Sequence, residues 1–183
     1  MRHCLLIIVS VLLTTGIALA DPAKERGGYV GGGLGATMFD DGGAFAFLEQ
    51  DDTDSGFGIF GGYKFFRYFS VEGRYTDFGT FSVVGLPFDA SVFSAHAVGI
   101  IPFGSSGWEM FGQLGLGMLD ITFPGEPSED EAVASAGAGV RFSPTENFSF
   151  ALQLDVYAYE DTSLGAAYDI GFGARSVTFQ YIF

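Results

Sequence analysis

The chain has 183 residues, with 22 acidic side chains against 8 Lys and Arg for a formal charge of −14, and it carries 21 Phe, 8 Tyr and 28 Gly. That length fits one domain, or one domain behind a targeting segment. So many aromatics argue against a disordered acidic chain, and so negative a charge argues against nucleic acid, whose footprint on a protein is basic.

Residues 1–20 separate from the rest. MRH gives a short positive start, CLLIIVSVLLTTGIALA an apolar run, and Ala18-Leu19-Ala20 a small-residue cleavage pattern before Asp21. This is the layout of a secretory signal peptide cut after Ala20, leaving residues 21–183 as the mature domain. A transmembrane anchor is the competing reading, since the run nearly reaches spanning length. Cys4 falls inside the segment, so the mature chain has no disulfide and no thiol site.

Beyond Ala20 no stretch reaches the length of a membrane-spanning helix, and period-two alternation recurs eight times. The first strand, in GYVGGGLGATMF, sets Val30, Leu34, Ala36 and Met38 opposite Tyr29 and Thr37. The second sets Phe57, Ile59, Tyr63 and Phe65 opposite Phe60 and Lys64. In the third, Phe69, Val71 and Tyr75 oppose Glu72, Arg74 and Thr76, and in the fourth Phe93, Ala95, Ala97 and Ile101 oppose Ser94 and His96. The fifth, in WEMFGQLGLGML, sets Trp108, Met110, Leu114, Leu116 and Met118 against Glu109 and Gln113. The sixth is small, Ala132 through Ala138 and Val140 against Ser135 and Arg141. The seventh, FSFALQLDVYAY, alternates most clearly, with Leu152, Leu154 and Val156 opposite Gln153, Asp155 and Tyr157. The eighth covers about 174–183 and puts Val177, Phe179, Tyr181 and Phe183 on one face.

The connections alternate in length. FFRYF, FGSSGW and SPTEN are short, whereas the gaps at about 40–54, 78–90, 122–131 and 160–173 are long and hold most of the acidic residues. Phe65, Phe66, Tyr68, Phe69, Phe103, Trp108, Phe142, Phe148 and Phe183 all flank a short turn or the C-terminus. Short turns at one end, long polar loops at the other and one aromatic girdle fit an eight-stranded antiparallel up-and-down transmembrane β-barrel, with turns in the periplasm and loops outside. A secreted β-sandwich is the alternative, but it gives no reason to collect these aromatics at one end. A strand ending flush on Phe183 is accounted for if it closes against the first, because lipid leaves no backbone group free to remain unpaired.

YVGGGLGA, GYKFFRYFSVEGRYTDFG, IIPFGSSGWEMFGQLGLG, GAGVRFSPTENFSFALQLDVYAY and FQYIF together resemble the small outer-membrane β-barrels of Gram-negative bacteria, of the OmpA-transmembrane-domain and OmpX type. The resemblance implies residence in the bacterial outer membrane, among its lipid and lipopolysaccharide, as a monomer. It also implies that Phe179, Tyr181 and Phe183 form a C-terminal signal read by the barrel-assembly machinery. The stretches include no peptidoglycan-binding segment, so cell-wall anchoring is not implied.

Chemistry has few candidates. Ser94 and His96 share a strand face and could support acyl transfer if a third group oriented the base, but a lone inward histidine reads first as a polar lumen residue. Asp40-Asp41, Asp51-Asp52-Thr53-Asp54 and Glu129-Asp130-Glu131 could offer oxygen ligands to a divalent cation; none has the spacing of a calcium loop. No cofactor, metal or catalytic residue is expected. The inward faces carry Lys64, Glu72, Arg74, His96, Glu109, Gln113, Arg141, Gln153 and Asp155, read as an interior polar network or as an ion pathway. Residues across the fifth and sixth strands pair with indices summing to about 250, which puts Glu109 opposite Arg141. Lys64 and Glu72 are a second expected pair, across FFRYF. The expected role is structural or interactive, through acidic external loops, for a ligand the sequence does not name. A narrow channel for ions or small solutes is the other reading.

Overall fold

The computed structural model describes residues 26–40, 50–51, 53–83, 86–122, 129–161 and 168–183, so the expected signal peptide and the tips of the long loops lie outside the described residues. Alternating apolar and polar residues, rich in aromatic and β-branched types, form eight long strands and one two-residue stub. In chain order these are β1 Gly27–Asp40, the stub β2 Gln50–Asp51, β3 Thr53–Phe66, β4 Phe69–Val83, β5 Leu86–Pro102, β6 Trp108–Thr122, β7 Glu129–Phe142, β8 Phe148–Asp161 and β9 Tyr168–Ile182. Every long strand pairs antiparallel with its two neighbours, and β1 pairs with β9 from Tyr29↔Ile182 to Asp40↔Gly171. The sheet is a closed, eight-stranded, up-and-down barrel. The Phe183 amide donates to the Gly28 carbonyl at 2.9 Å, carrying the seam to the end of the chain.

The faces separate cleanly. Leu34, Ile59, Phe93, Leu114, Leu116, Leu152, Leu154, Val156 and Val177 are exposed on the outer wall. The residues on the opposite strand face, such as Glu72, Arg74, Gln113 and Gln153, are buried. An outward apolar wall around a polar interior is stable only with lipid outside.

At the short-turn end the aromatics interlock. Phe66 stacks on Phe69 at 5.7 Å, Trp108 meets Phe142 at 4.8 Å, and Tyr181 meets both Phe148 and Phe183 at 5.6 and 5.7 Å. An outer set, with Phe57 6.3 Å from Tyr75 and Phe93 as the register partner of Tyr75, marks the other boundary. Strands of 14–17 residues exceed the roughly 9–11 needed to span a bilayer.

The segment 78–90, expected as a long loop, is mostly strand: β4 runs to Val83 and β5 starts at Leu86. The physical reason is a bulge. Register shifts between Asp77 and Thr80, with Gly79 at φ +85, a backbone conformation that favours glycine. One extra residue exchanges the faces, so Phe78 and Phe81, three apart, both point inward. The stub at Gln50–Asp51 likewise falls inside the expected 40–54 loop and pairs with Ser82 and Val83.

Candidate functional site: the barrel interior

The inward side chains fall into two layers. The layer on the turn side is polar and charged. Glu109, from the start of β6, receives Lys64 Nζ at 3.2 Å and Arg141 Nη1 at 3.4 Å, one on each carboxylate oxygen. Glu109 and Arg141 are direct register partners on β6 and β7. Arg141 lies over the Phe111 ring at 4.7 Å.

The second charged centre surrounds Arg74 on β4. Its guanidinium donates to Glu72 Oε1 through Nε at 3.0 Å and Nη2 at 2.6 Å, and to Asp155 Oδ2 through Nη1 at 3.2 Å. Gln113 and Gln153 each donate to Asp155 at 2.6 Å, and Tyr29 donates to Glu72 at 3.1 Å. Arg74 also lies over the Phe60 ring at 5.0 Å. Both rings need glycine beside them: a Cβ at Gly31 would collide with the Phe60 ring, and one at Gly139 would lie 2.5 Å from the Phe111 ring. Three cations (Lys64, Arg74, Arg141) face three carboxylates (Glu72, Glu109, Asp155), and all six are buried. Such charges are tolerable only when paired in this way.

The expected Lys64–Glu72 pair does not form. The turn closes tightly at Arg67–Tyr68 with a bulge between Lys64 and Phe66, so Lys64 opposes Ser70 and Glu72 opposes Gly62. Lys64 instead crosses the lumen to Glu109, and Glu72 is taken by Arg74. His96 shares a 2.9 Å hydrogen bond with Ser135, reached along the wall over Gly115 of the intervening strand, rather than with Ser94. Its Nδ1 has no partner, and no carboxylate orients the ring. Among the described residues no three His, Cys, Asp or Glu side chains gather as a metal site. Asp41 and Asp52 lie outside the described residues.

The loop-side layer is apolar, and sequence reasoning missed it. Phe78 stacks on Phe172 at 5.0 Å and meets Tyr157 edge-on at 5.2 Å, while Phe81 contacts Phe88 and Phe172 at 5.7 and 5.9 Å. Val92, Leu119, Val133 and Ala174 fill the space around them in one buried cluster. The signal that could have revealed it is three phenylalanines, Phe78, Phe81 and Phe88, inside a segment otherwise read as loop. A partly open pocket of about 30 Å³ is lined by Arg74, Asp155 and the glycine-rich wall of β1 and β3. It has room for about two waters.

A closed antiparallel ring with an apolar outer wall, a charged layer inside its turn-side half and aromatics at both boundaries defines an outer-membrane β-barrel. The chain belongs to the outer membrane protein beta-barrel domain family, whose profile matches residues 8–183. It is therefore a protein of the Gram-negative bacterial outer membrane. Solved structures share the fold, three among them as follows. Neisserial surface protein A superposes with a TM-score of 0.68 at 14% identity, covering 87% of this chain and 99% of that one. The N-terminal β-barrel domain of Pseudomonas aeruginosa OprF gives 0.59 at 16%, over 87% and 100%. Ail, the attachment invasion locus protein of Yersinia pestis, gives 0.55 at 20%, again over 87% and 100%. No curated protein sequence matches the chain.

Proposed function

We propose that the barrel is a closed anchor that holds acidic loops on the cell surface, and that its role is structural or interactive rather than conductive or enzymatic. The carrying observation is the filled interior. Paired charges occupy the turn-side half and the aromatic cap occupies the loop-side half, and the pocket beside Arg74 and Asp155 is about 30 Å³. An interior of eight strands is narrow enough for side chains to fill it. Conduction, the alternative reading, would require Phe78, Phe81 and Phe172 to leave their mutual contacts.

Charge narrows the partner. Ail has been crystallised with a heparin analogue, sucrose octasulfate. A chain with net charge −14 repels such a polyanion, so its external partner is neutral or cationic. In the same reading Ala20 is the signal cleavage point, and Phe179, Tyr181 and Phe183 serve the barrel-assembly machinery. On intact cells, Thr162→Cys, between β8 and β9, should react with a membrane-impermeant maleimide, and Ser105→Cys, in a short turn, should not. Labelling of Ser105→Cys with Thr162→Cys silent would put the acidic loops inside and overturn the reading.

A further inference from the structure

The outward wall carries one feature that neither the fold nor the filled interior requires. Among the described residues Arg175 is the cation without a partner. Lys64, Arg74 and Arg141 are paired in the interior. Arg26 and Arg67, at the turn end, donate to the carbonyls of Phe65 and Gly104 at 2.7 and 2.6 Å. Arg175 sits on the exposed face of β9 between register partners Leu154 and Ala36, in line with Val177 and Phe179.

Its height can be worked from the strand. Eight residues separate Arg175 from Phe183 at the inner aromatic ring. At about 2.5 Å of axial rise per residue in a strand tilted near 40°, that is about 20 Å, close to the top of an apolar band about 25 Å tall. Phe57, in the outer aromatic set, is likewise eight residues above Phe65. Arg175 therefore lies at the outer-leaflet boundary, where its stem can run along the wall and its guanidinium can reach the headgroups.

The wall directly above it is open. The next outward positions on β9 are Gly173, flanked by Met38 on β1 and Val156 on β8, and Gly171, flanked by Asp40 on β1 and Ala158 on β8. A Cβ at Gly173 would meet Met38 only at 3.9 Å, so a shallow groove leads from Arg175 toward the loop end. An unpaired guanidinium facing lipid needs an anion, and a planar fork of N–H donors suits phosphate. Water-soluble anions are repelled by the acidic loops, whereas a lipid arrives from within the membrane with its chains against Val177 and Leu154. We propose that Arg175 and the Gly171–Gly173 groove bind the phosphate headgroup of an outer-leaflet lipid.

The test uses the refolded barrel in phosphatidylcholine vesicles carrying a trace of spin-labelled phosphatidic acid or, in parallel, spin-labelled phosphatidylcholine. Wild type should enrich the phosphomonoester lipid at its wall about fivefold, the effect of about 1 kcal/mol from one cation at a lipid surface. Arg175→Gln should bring the ratio to about one, and Arg175→Lys should keep part of it. Gly173→Leu, which fills the groove and leaves the charge, should lower it too. A gel shift between unheated and boiled samples verifies that each variant is folded; Arg175→Gln removes an unpaired charge from the wall and should fold at least as well as wild type. An unchanged ratio in Arg175→Gln or Gly173→Leu overturns the assignment. Displacement of the labelled lipid by inorganic phosphate would make the site one for free phosphate and overturn the lipid source.

Discussion

Replacing Glu109 by Ala strands two cations at once, and the cost follows from the geometry. Lys64 and Arg141 share that carboxylate at 3.2 and 3.4 Å, and the three residues are 3%, 7% and 5% exposed for Lys64, Arg141 and Glu109. Breaking a buried pair costs about 3–5 kcal/mol because a charge is left without its counter-ion. Glu109→Ala should fall at the upper end of that range, about 4–5 kcal/mol. Arg141→Ala should cost less, about 2–3 kcal/mol, because Glu109 keeps Lys64 as its partner. The double variant should lose less than the sum of the two, with a coupling of about 1–3 kcal/mol. Urea titration of folded barrel in vesicles, read by the gel shift, measures all three; with a slope of about 2 kcal/mol per molar, Glu109→Ala lowers the midpoint by about 2 M. Additive losses, or Arg141→Ala as damaging as Glu109→Ala, would refute the shared-carboxylate account.

Leu152 is 61% exposed on the lipid face, so Leu152→Arg should cost about 2–4 kcal/mol by the same titration, while Glu146→Arg in an exposed turn changes stability little. Equal urea resistance of Leu152→Arg and wild type would contradict the outward assignment. Phe78→Ala removes the ring held between Phe172 and Tyr157 and should cost about 3–5 kcal/mol, against no loss if the loop-side cap is loosely packed. Deleting Phe183 should lower the amount of barrel in the outer membrane without lowering export, checked by fractionation and immunoblotting; equal amounts would remove the C-terminal residue from any assembly signal.

The parts of this structure that follow local rules were legible in the sequence. Period two assigned Leu152 to lipid and Gln153 to the lumen, because in a strand the side-chain direction is fixed by parity alone. Glu109 opposite Arg141 was legible for a similar reason: the β6–β7 connection fixes the hairpin register. What parity cannot give is contact across the lumen. Lys64 reaches Glu109 and Arg74 reaches Asp155 over 45 and 81 residues of sequence, and these meetings depend on barrel curvature and side-chain reach. The aromatic cap was hidden for a third reason. The bulge at Phe78–Gly79 breaks the alternation that identifies a strand, so two inward phenylalanines looked like loop residues.

Closure of the lumen is read by conductance of the refolded protein in a planar lipid bilayer. Charged residues locked in pairs beneath a packed aromatic cap predict a flat current trace at moderate voltage, with no discrete steps above the bare-membrane baseline. Reproducible ohmic openings from the wild-type protein, with the gel shift verifying that it is folded, would contradict the closed-anchor account and establish a channel in its place.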